Sequence, residues 1–99
     1  MKTYNIKFKN LFYNDITLIQ DILYRFTFSK ETTKNIINSI YSEIFKLSIF
    51  PNRYVEYKYW FRVLNIKWKY KVFYKVEEDK LEVHIYRILF SSSNYENLF

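Results

Sequence analysis

The sequence predicts one α+β domain over residues 1–99, ordered β-α-α-β-β-β, with an N-terminal helical hairpin packed on one face of an antiparallel sheet. Three observations predict it. Apolar residues alternate with period two near the N-terminus and again after residue 57. Between these stretches they recur every three or four residues. A chain of 99 residues has room for one modest core and not for a second module.

The elements follow in order. In Thr3–Phe8, Tyr4, Ile6 and Phe8 fall on one side and Asn5 and Lys7 on the other, the pattern of a short strand. Asn14 or Asp15 is the expected cap of the first helix, because such side chains accept from the first free backbone N–H groups. Its apolar stripe is Phe12, Ile16, Ile19, Leu23 and Phe26, with Phe12 near the cap. Ser29 is a good cap for a second helix, whose stripe is Ile36, Ile37, Ile40, Tyr41, Ile44 and Leu47. So short a connection makes the two helices an antiparallel hairpin. Pro51 closes the helical region, since it lacks an N–H and restricts Phe50.

The second half reads as strands. Trp60–Asn65 is one. Trp68–Val76 is a clearer one, with Trp68, Tyr70, Val72, Tyr74 and Val76 on the core face and Lys67, Lys69, Lys71, Phe73 and Lys75 opposite. Glu77-Glu78-Asp79-Lys80 is a polar turn without glycine, and Leu81, Val83 and Ile85 begin a last strand that runs to about Phe90. Ser91-Ser92-Ser93 ends it, as a polar strand exit and not a nucleophile, for no Gly-x-Ser-x-Gly elbow accompanies it.

Charge is concentrated in this half. The net charge is +6, and residues 51–75 alone hold Arg53, Lys58, Arg62, Lys67, Lys69, Lys71 and Lys75 against Glu56. The rest of the chain is balanced. Such a stripe is the footprint of a polyanion binder. A uniformly Lys-rich composition would spread the charge instead. The absence of Cys rules out disulfides and thiolate metal sites. His84 is the sole histidine, so no His/Cys metal site is expected, and no cofactor is implied. No signal peptide and no membrane span are read from the sequence, which points to the cytoplasm.

The words Trp60-Phe61-Arg62-Val63-Leu64, Tyr70-Lys71-Val72-Phe73-Tyr74-Lys75-Val76 and Val83-His84-Ile85-Tyr86-Arg87-Ile88-Leu89-Phe90, in this order, resemble the RelE/ParE superfamily of type II toxins. That family shows an arginine-bearing strand, a "YR" strand, an acidic turn and an apolar strand ending in "RILH" or "RILY". The resemblance implies a toxin that arrests growth and is neutralised by a cognate antitoxin. Its target is DNA gyrase in ParE-like members, or mRNA in the ribosomal A site in RelE-like ones. For an endonuclease, the resemblance implies Arg62 and Lys71 as cations on the scissile phosphate and Tyr95 as the C-terminal aromatic. Leu64, Phe90 and Ser91 stand where RelE-like enzymes carry a lysine, a proton donor and an arginine. These departures favour a ParE-like toxin or a weakened nuclease. The alternative from another class is a non-toxic nucleic-acid-binding domain that uses the basic sheet face.

Lys67, Lys69, Phe73, Lys75 and His84 are the expected contacts to nucleic acid or a protein partner. Phe73 is the aromatic expected within the basic face. Trp68, Tyr70 and Tyr74 can stack bases, but their parity opposite the lysines assigns them to the core. Arg87 shares the parity of Val83 and Ile85 and is expected to pair with Asp21 or Glu43 on the helices.

Overall fold

The alternating residues near the N-terminus form strand β1, Asn5–Phe8, and the two amphipathic stretches form helices α1, Asn10–Thr27, and α2, Lys30–Phe45. Strands β2, Arg62–Ile66, β3, Tyr70–Glu77, and β4, Glu82–Phe90, follow. The structure is a computed structural model that describes residues 2–54, 56 and 61–92, with Arg53 described by its backbone alone. Trp60 and Tyr95 therefore lie outside the described residues.

The strands form one sheet in the order β1-β4-β3-β2. β2 with β3 and β3 with β4 are antiparallel, as expected, but β1 joins β4 in parallel, from Asn5↔Glu82 to Phe8↔Ile85. The sheet is thus mixed. Period-two alternation looks the same in parallel and antiparallel pairs, so the pattern of Tyr4–Phe8 could not reveal the direction.

Helix α1 begins four residues earlier than its expected cap. Lys9 occupies the N-cap without a side-chain bond, and Phe12 lies within the helix, fully buried. Asp15 is a buried mid-helix residue. Ser29 caps α2 as expected, accepting from Thr32 N–H at 3.1 Å. Pro51 opens a short 3-10 turn, Pro51–Arg53, after α2 has ended.

The core lies between the helices and one face of the sheet. Phe12, Ile16 and Ile19 from α1 and Ile40 and Ile44 from α2 pack with Leu64, Ile66, Tyr70, Val72, Tyr74, Val83, Ile85 and Ile88. Burying a Leu- or Ile-sized side chain contributes about 1.5–3 kcal/mol. The end of the α1 stripe does not share in this, for Phe26 is 81% exposed.

Two departures from simple alternation shape the second half. The β2–β3 connection is a turn at Lys67–Lys69, closed by Lys69 N–H to Ile66 O at 3.0 Å, with Lys67 and Trp68 both left-handed at φ 51° and 62°. Two consecutive positive φ values match the right-handed twist of a hairpin. Trp68, expected on the core face of a strand, therefore sits at the turn and is 88% exposed. The second departure is a bulge. The β3–β4 register passes from Phe73↔Arg87 to Tyr74↔Ile85, leaving Tyr86 unopposed. This reverses the parity of β4, so Ile88 takes the core position that Arg87 was expected to hold.

Candidate functional site

The outer face of the sheet, opposite the helices, carries Lys71, Phe73 and Lys75 from β3. Lys71 Nζ donates to Asn65 Oδ1 at 2.7 Å, across the β2–β3 pair. Lys75 Nζ lies 4.5 Å from the Phe61 ring centre and 5.5 Å from that of Tyr86, whose rings meet edge to face at 5.0 Å. Lys9 Nζ approaches the other rim of this group, 5.5 Å from Tyr86. Each such contact contributes about 0.5–1 kcal/mol at an exposed site. Phe73, expected to be exposed among the lysines, is 0% exposed. The outer face carries an aromatic pair of its own, Phe61 with Tyr86.

His84 faces this side, as its parity predicts, paired in register with Lys75 and Lys7. Its Nε2 lies 3.0 Å from Glu82 Oε1 and 3.6 Å from Glu77 Oε1, and Lys80 Nζ lies 3.6 Å from Glu77 Oε2. One ligand atom from each of Glu77, Glu82 and His84 falls within 4.8 Å of the other two. That donor set suits a divalent cation. A ligating imidazole, however, normally donates its second N–H to an acceptor, and His84 Nδ1 is buried without a partner among the described residues. The cluster reads as a polar network in which Lys80 meets Glu77 and His84 Nε2 shares a hydrogen bond with Glu82 Oε1. The sequence did not reveal it because Glu77 and Glu82 meet only through the β3–β4 register.

Arg62 belongs to the other face. It pairs with Tyr74 in register, and its Nη1 donates to Tyr54 O at 2.7 Å and Asn52 O at 3.3 Å. Tyr74 Oη donates to Pro51 O at 2.6 Å. These bonds hold the Pro51–Tyr54 loop against the sheet. Asn52 Nδ2 continues the network to Glu78 Oε1 at 2.7 Å, and Tyr4 Oη donates to Glu78 Oε2 at 2.5 Å. The Tyr4 and Asn52 hydrogen bonds hold the Glu78 carboxyl below its ordinary range, and the bond to Glu78 pushes the Tyr4 phenol up.

The expected site residues are thus not gathered at one point. Arg62 and Lys71 project from opposite faces of the sheet, and Tyr95 lies outside the described residues. Lys67 and Lys69 occupy the β2–β3 turn, where Lys67 Nζ comes within 3.5 Å of Ser39 Oγ on α2.

Arg87 pairs with a helix, but with Asp15 and not with Asp21 or Glu43. Arg87 Nε and Nη2 donate to Asp15 Oδ2 and Oδ1 at 2.8 and 2.7 Å, and Ile88 N–H donates to Asp15 Oδ2 at 3.2 Å. The bonds to Asp15 push the guanidinium pKa further up. β1 ends at Phe8, opposite Ile85, so the β4 edge beyond it would present unpaired backbone. Asp15 caps that edge.

Two helices pack on one face of a four-stranded mixed sheet, an α+β arrangement that this chain shares with several solved structures. Among solved structures, a chain of the chromosomal ParDE TA system from P. aeruginosa is similar at a TM-score of 0.73 and 19% identity, over 87% of this chain and 94% of that one. A chain of the toxin-antitoxin complex RelBE2 from Mycobacterium tuberculosis is similar at a TM-score of 0.66 and 15% identity, over 94% and 97%. The conserved hypothetical protein HP0894 from Helicobacter pylori is similar at 0.53 and 22%, over 97% and 99%. At these identities the likeness is one of fold. No protein-family model matches the sequence, and no curated protein matches it significantly.

Proposed function

We propose that this chain is the toxin of a type II toxin-antitoxin system and that it acts by binding its target, in the manner of ParE. The observation that carries the reading is the shared fold, over nearly the whole length of both chains, with chains from a ParDE system and a RelBE2 complex. Its partner would be a cognate antitoxin, and its target DNA gyrase. The arrangement of cations supports binding over cleavage. A nuclease must place several donors around one phosphate, where charge develops. Arg62 is engaged by the carbonyls of Asn52 and Tyr54 on one face, and Lys71 by Asn65 on the other. Phe90 and Ser91, at the end of β4, supply neither a proton donor of suitable acidity nor a cation.

The test is expression from a tightly controlled promoter, alone and with a candidate antitoxin. Growth arrest that the antitoxin relieves is expected. Normal growth at high expression of the folded protein would sink the toxin reading. Purified protein should then inhibit gyrase supercoiling and trap cleaved DNA. Position-specific cuts in the ribosomal A site, without gyrase inhibition, would replace this reading with that of an mRNA endonuclease acting on the ribosome.

A further inference from the structure

The three most exposed large apolar side chains are Trp68, Phe28 and Phe26, at 88%, 83% and 81%. Phe26 lies in the last turn of α1, Phe28 ends that helix, and Trp68 turns β2 into β3. The fold brings the two tips together, for Phe26 and Trp68 border one groove of about 450 Å³, with Leu23 and Lys69 also lining it. Each tip is bracketed by cations, as Arg25-Phe26-Thr27-Phe28-Ser29-Lys30 in the one and Lys67-Trp68-Lys69 in the other. Neither stretch holds an acidic residue, and Glu31 is the nearest beyond them in sequence. All four cations are exposed, and none makes an ion pair among the described residues. Both tips are firmly held. Phe28 N–H bonds Tyr24 O at 2.8 Å, Lys69 N–H bonds Ile66 O at 3.0 Å, and Ser91 N–H bonds Lys69 O at 2.8 Å. Phe28, Lys67 and Trp68 all take positive φ, which is unfavourable for residues other than glycine. An apolar patch within a charged rim marks a contact surface.

We propose that these two tips form a docking surface for an anionic lipid bilayer. Trp68, Phe26 and Phe28 enter the interface, and Arg25, Lys30, Lys67 and Lys69 meet the headgroups. Charge complementarity selects the occupant, since cations beside a negative membrane surface are each attracted to it. The rings supply the second contribution. Indole suits the headgroup boundary, where tryptophan is enriched. Binding at that boundary grows with the apolar area buried and with attraction to anionic lipid, and this patch offers both. The way the rings are displayed favours a bilayer over other occupants. Three side chains that protrude from two connections would need three matched pockets in a folded partner. A fluid interface accepts them as they stand. A nucleic-acid duplex could use the cations but not the rings. The attachment is peripheral and needs no membrane-spanning helix. It does not rest on the toxin reading.

The experiment is cosedimentation of the purified chain with phosphatidylcholine vesicles, with and without phosphatidylglycerol, followed also by tryptophan emission. Binding to the anionic vesicles, with a blue shift, is expected. Vesicles of phosphatidylcholine alone should bind more weakly. Trp68→Ala should weaken binding by about tenfold to a hundredfold, the loss of one large side chain from the apolar contact. Trp68→Phe should keep most of the binding and lose the shift, which separates Trp68 from Trp60, the other tryptophan. Lys67→Ala and Lys69→Ala should each weaken binding by about fivefold. These side chains are exposed, so the variants keep the fold, and thermal unfolding checks that they do. No binding of the folded chain to anionic vesicles, or equal binding by Trp68→Ala and the parent, would overturn the proposal. So would Trp68-dependent binding of oligo(U) without binding to vesicles, which would assign the patch to a different partner.

Discussion

At the scale of single residues, two arginines illustrate how different environments spend the same chemistry. Arg87 makes two charge-assisted bonds to Asp15 within a partly buried setting, and Asp15 also takes the Ile88 N–H. The pair therefore joins helix to sheet and closes a backbone edge at once. Arg62 instead donates to main-chain carbonyls. Arg62→Ala should then cost about 1–2 kcal/mol, because the carbonyls of Asn52 and Tyr54 lose a charged donor. Lys71→Ala, which removes an exposed bond to Asn65, should stay within about 0.5 kcal/mol. Urea denaturation of the two variants checks the contrast, and equal losses would refute it.

The Tyr4–Glu78 bond has a pH signature at the same scale. It needs a protonated phenol and an ionised carboxylate. The Glu78 pKa is lowered, so its contribution is complete above the ordinary carboxylate range and is lost as pH falls through the lowered value. The Tyr4 pKa is raised, so its contribution is complete below the ordinary value of 10.0 and is lost as pH rises through the raised one. The stability gap between the parent chain and Tyr4→Phe should be flat between these limits and narrow beyond each. Thermal unfolding across pH measures it, and a gap that stays constant at both extremes would disprove the assignment.

At the scale of elements, the absence of glycine sets the terms. Phe28, Lys67, Trp68 and Leu81 all take positive φ, the first ending α1 and the others turning the two hairpins. Phe28 N–H still bonds Tyr24 O at 2.8 Å, so the left-handed cap works without the residue best suited to it. Phe28→Gly should raise stability by about 1 kcal/mol, since it relieves the backbone and removes a side chain that is almost wholly in water. A higher urea midpoint with unchanged slope is the expected result. The elements themselves were largely legible: Ser29 as cap, both stripes, and β4 up to Phe90. Their ends were not. Asp15 has the chemistry of a cap, but its carboxylate is claimed by Arg87, 72 residues away. Trp68 continued an alternating pattern into what became a turn, because glycine, the usual turn signal, is missing from the whole sequence.

At the scale of the molecule, the mixed sheet places cations on two faces and at one turn. Arg62 faces the helices, Lys71 and Lys75 face outward, and Lys67 and Lys69 flank Trp68. Among the described residues, no helix is long and apolar enough to cross a membrane. Growth arrest relieved by an antitoxin, followed by gyrase inhibition in vitro, remains the test at this scale.

The sequence by itself determined the α+β class, the order of elements, the helical hairpin and the position of the charge. All of these follow from local periodicity and composition, which need no knowledge of distant contacts. Only the tertiary structure decided that β1 runs parallel to β4, that the bulge at Tyr86 turns Arg87 away from the core parity, and that Asp15 receives it. The same is true of Phe73, which is fully buried on the outer face, and of Trp68, which was left in water. Each of these depends on which strand lies beside which and in what register, and register is set by packing the whole sheet against both helices at once.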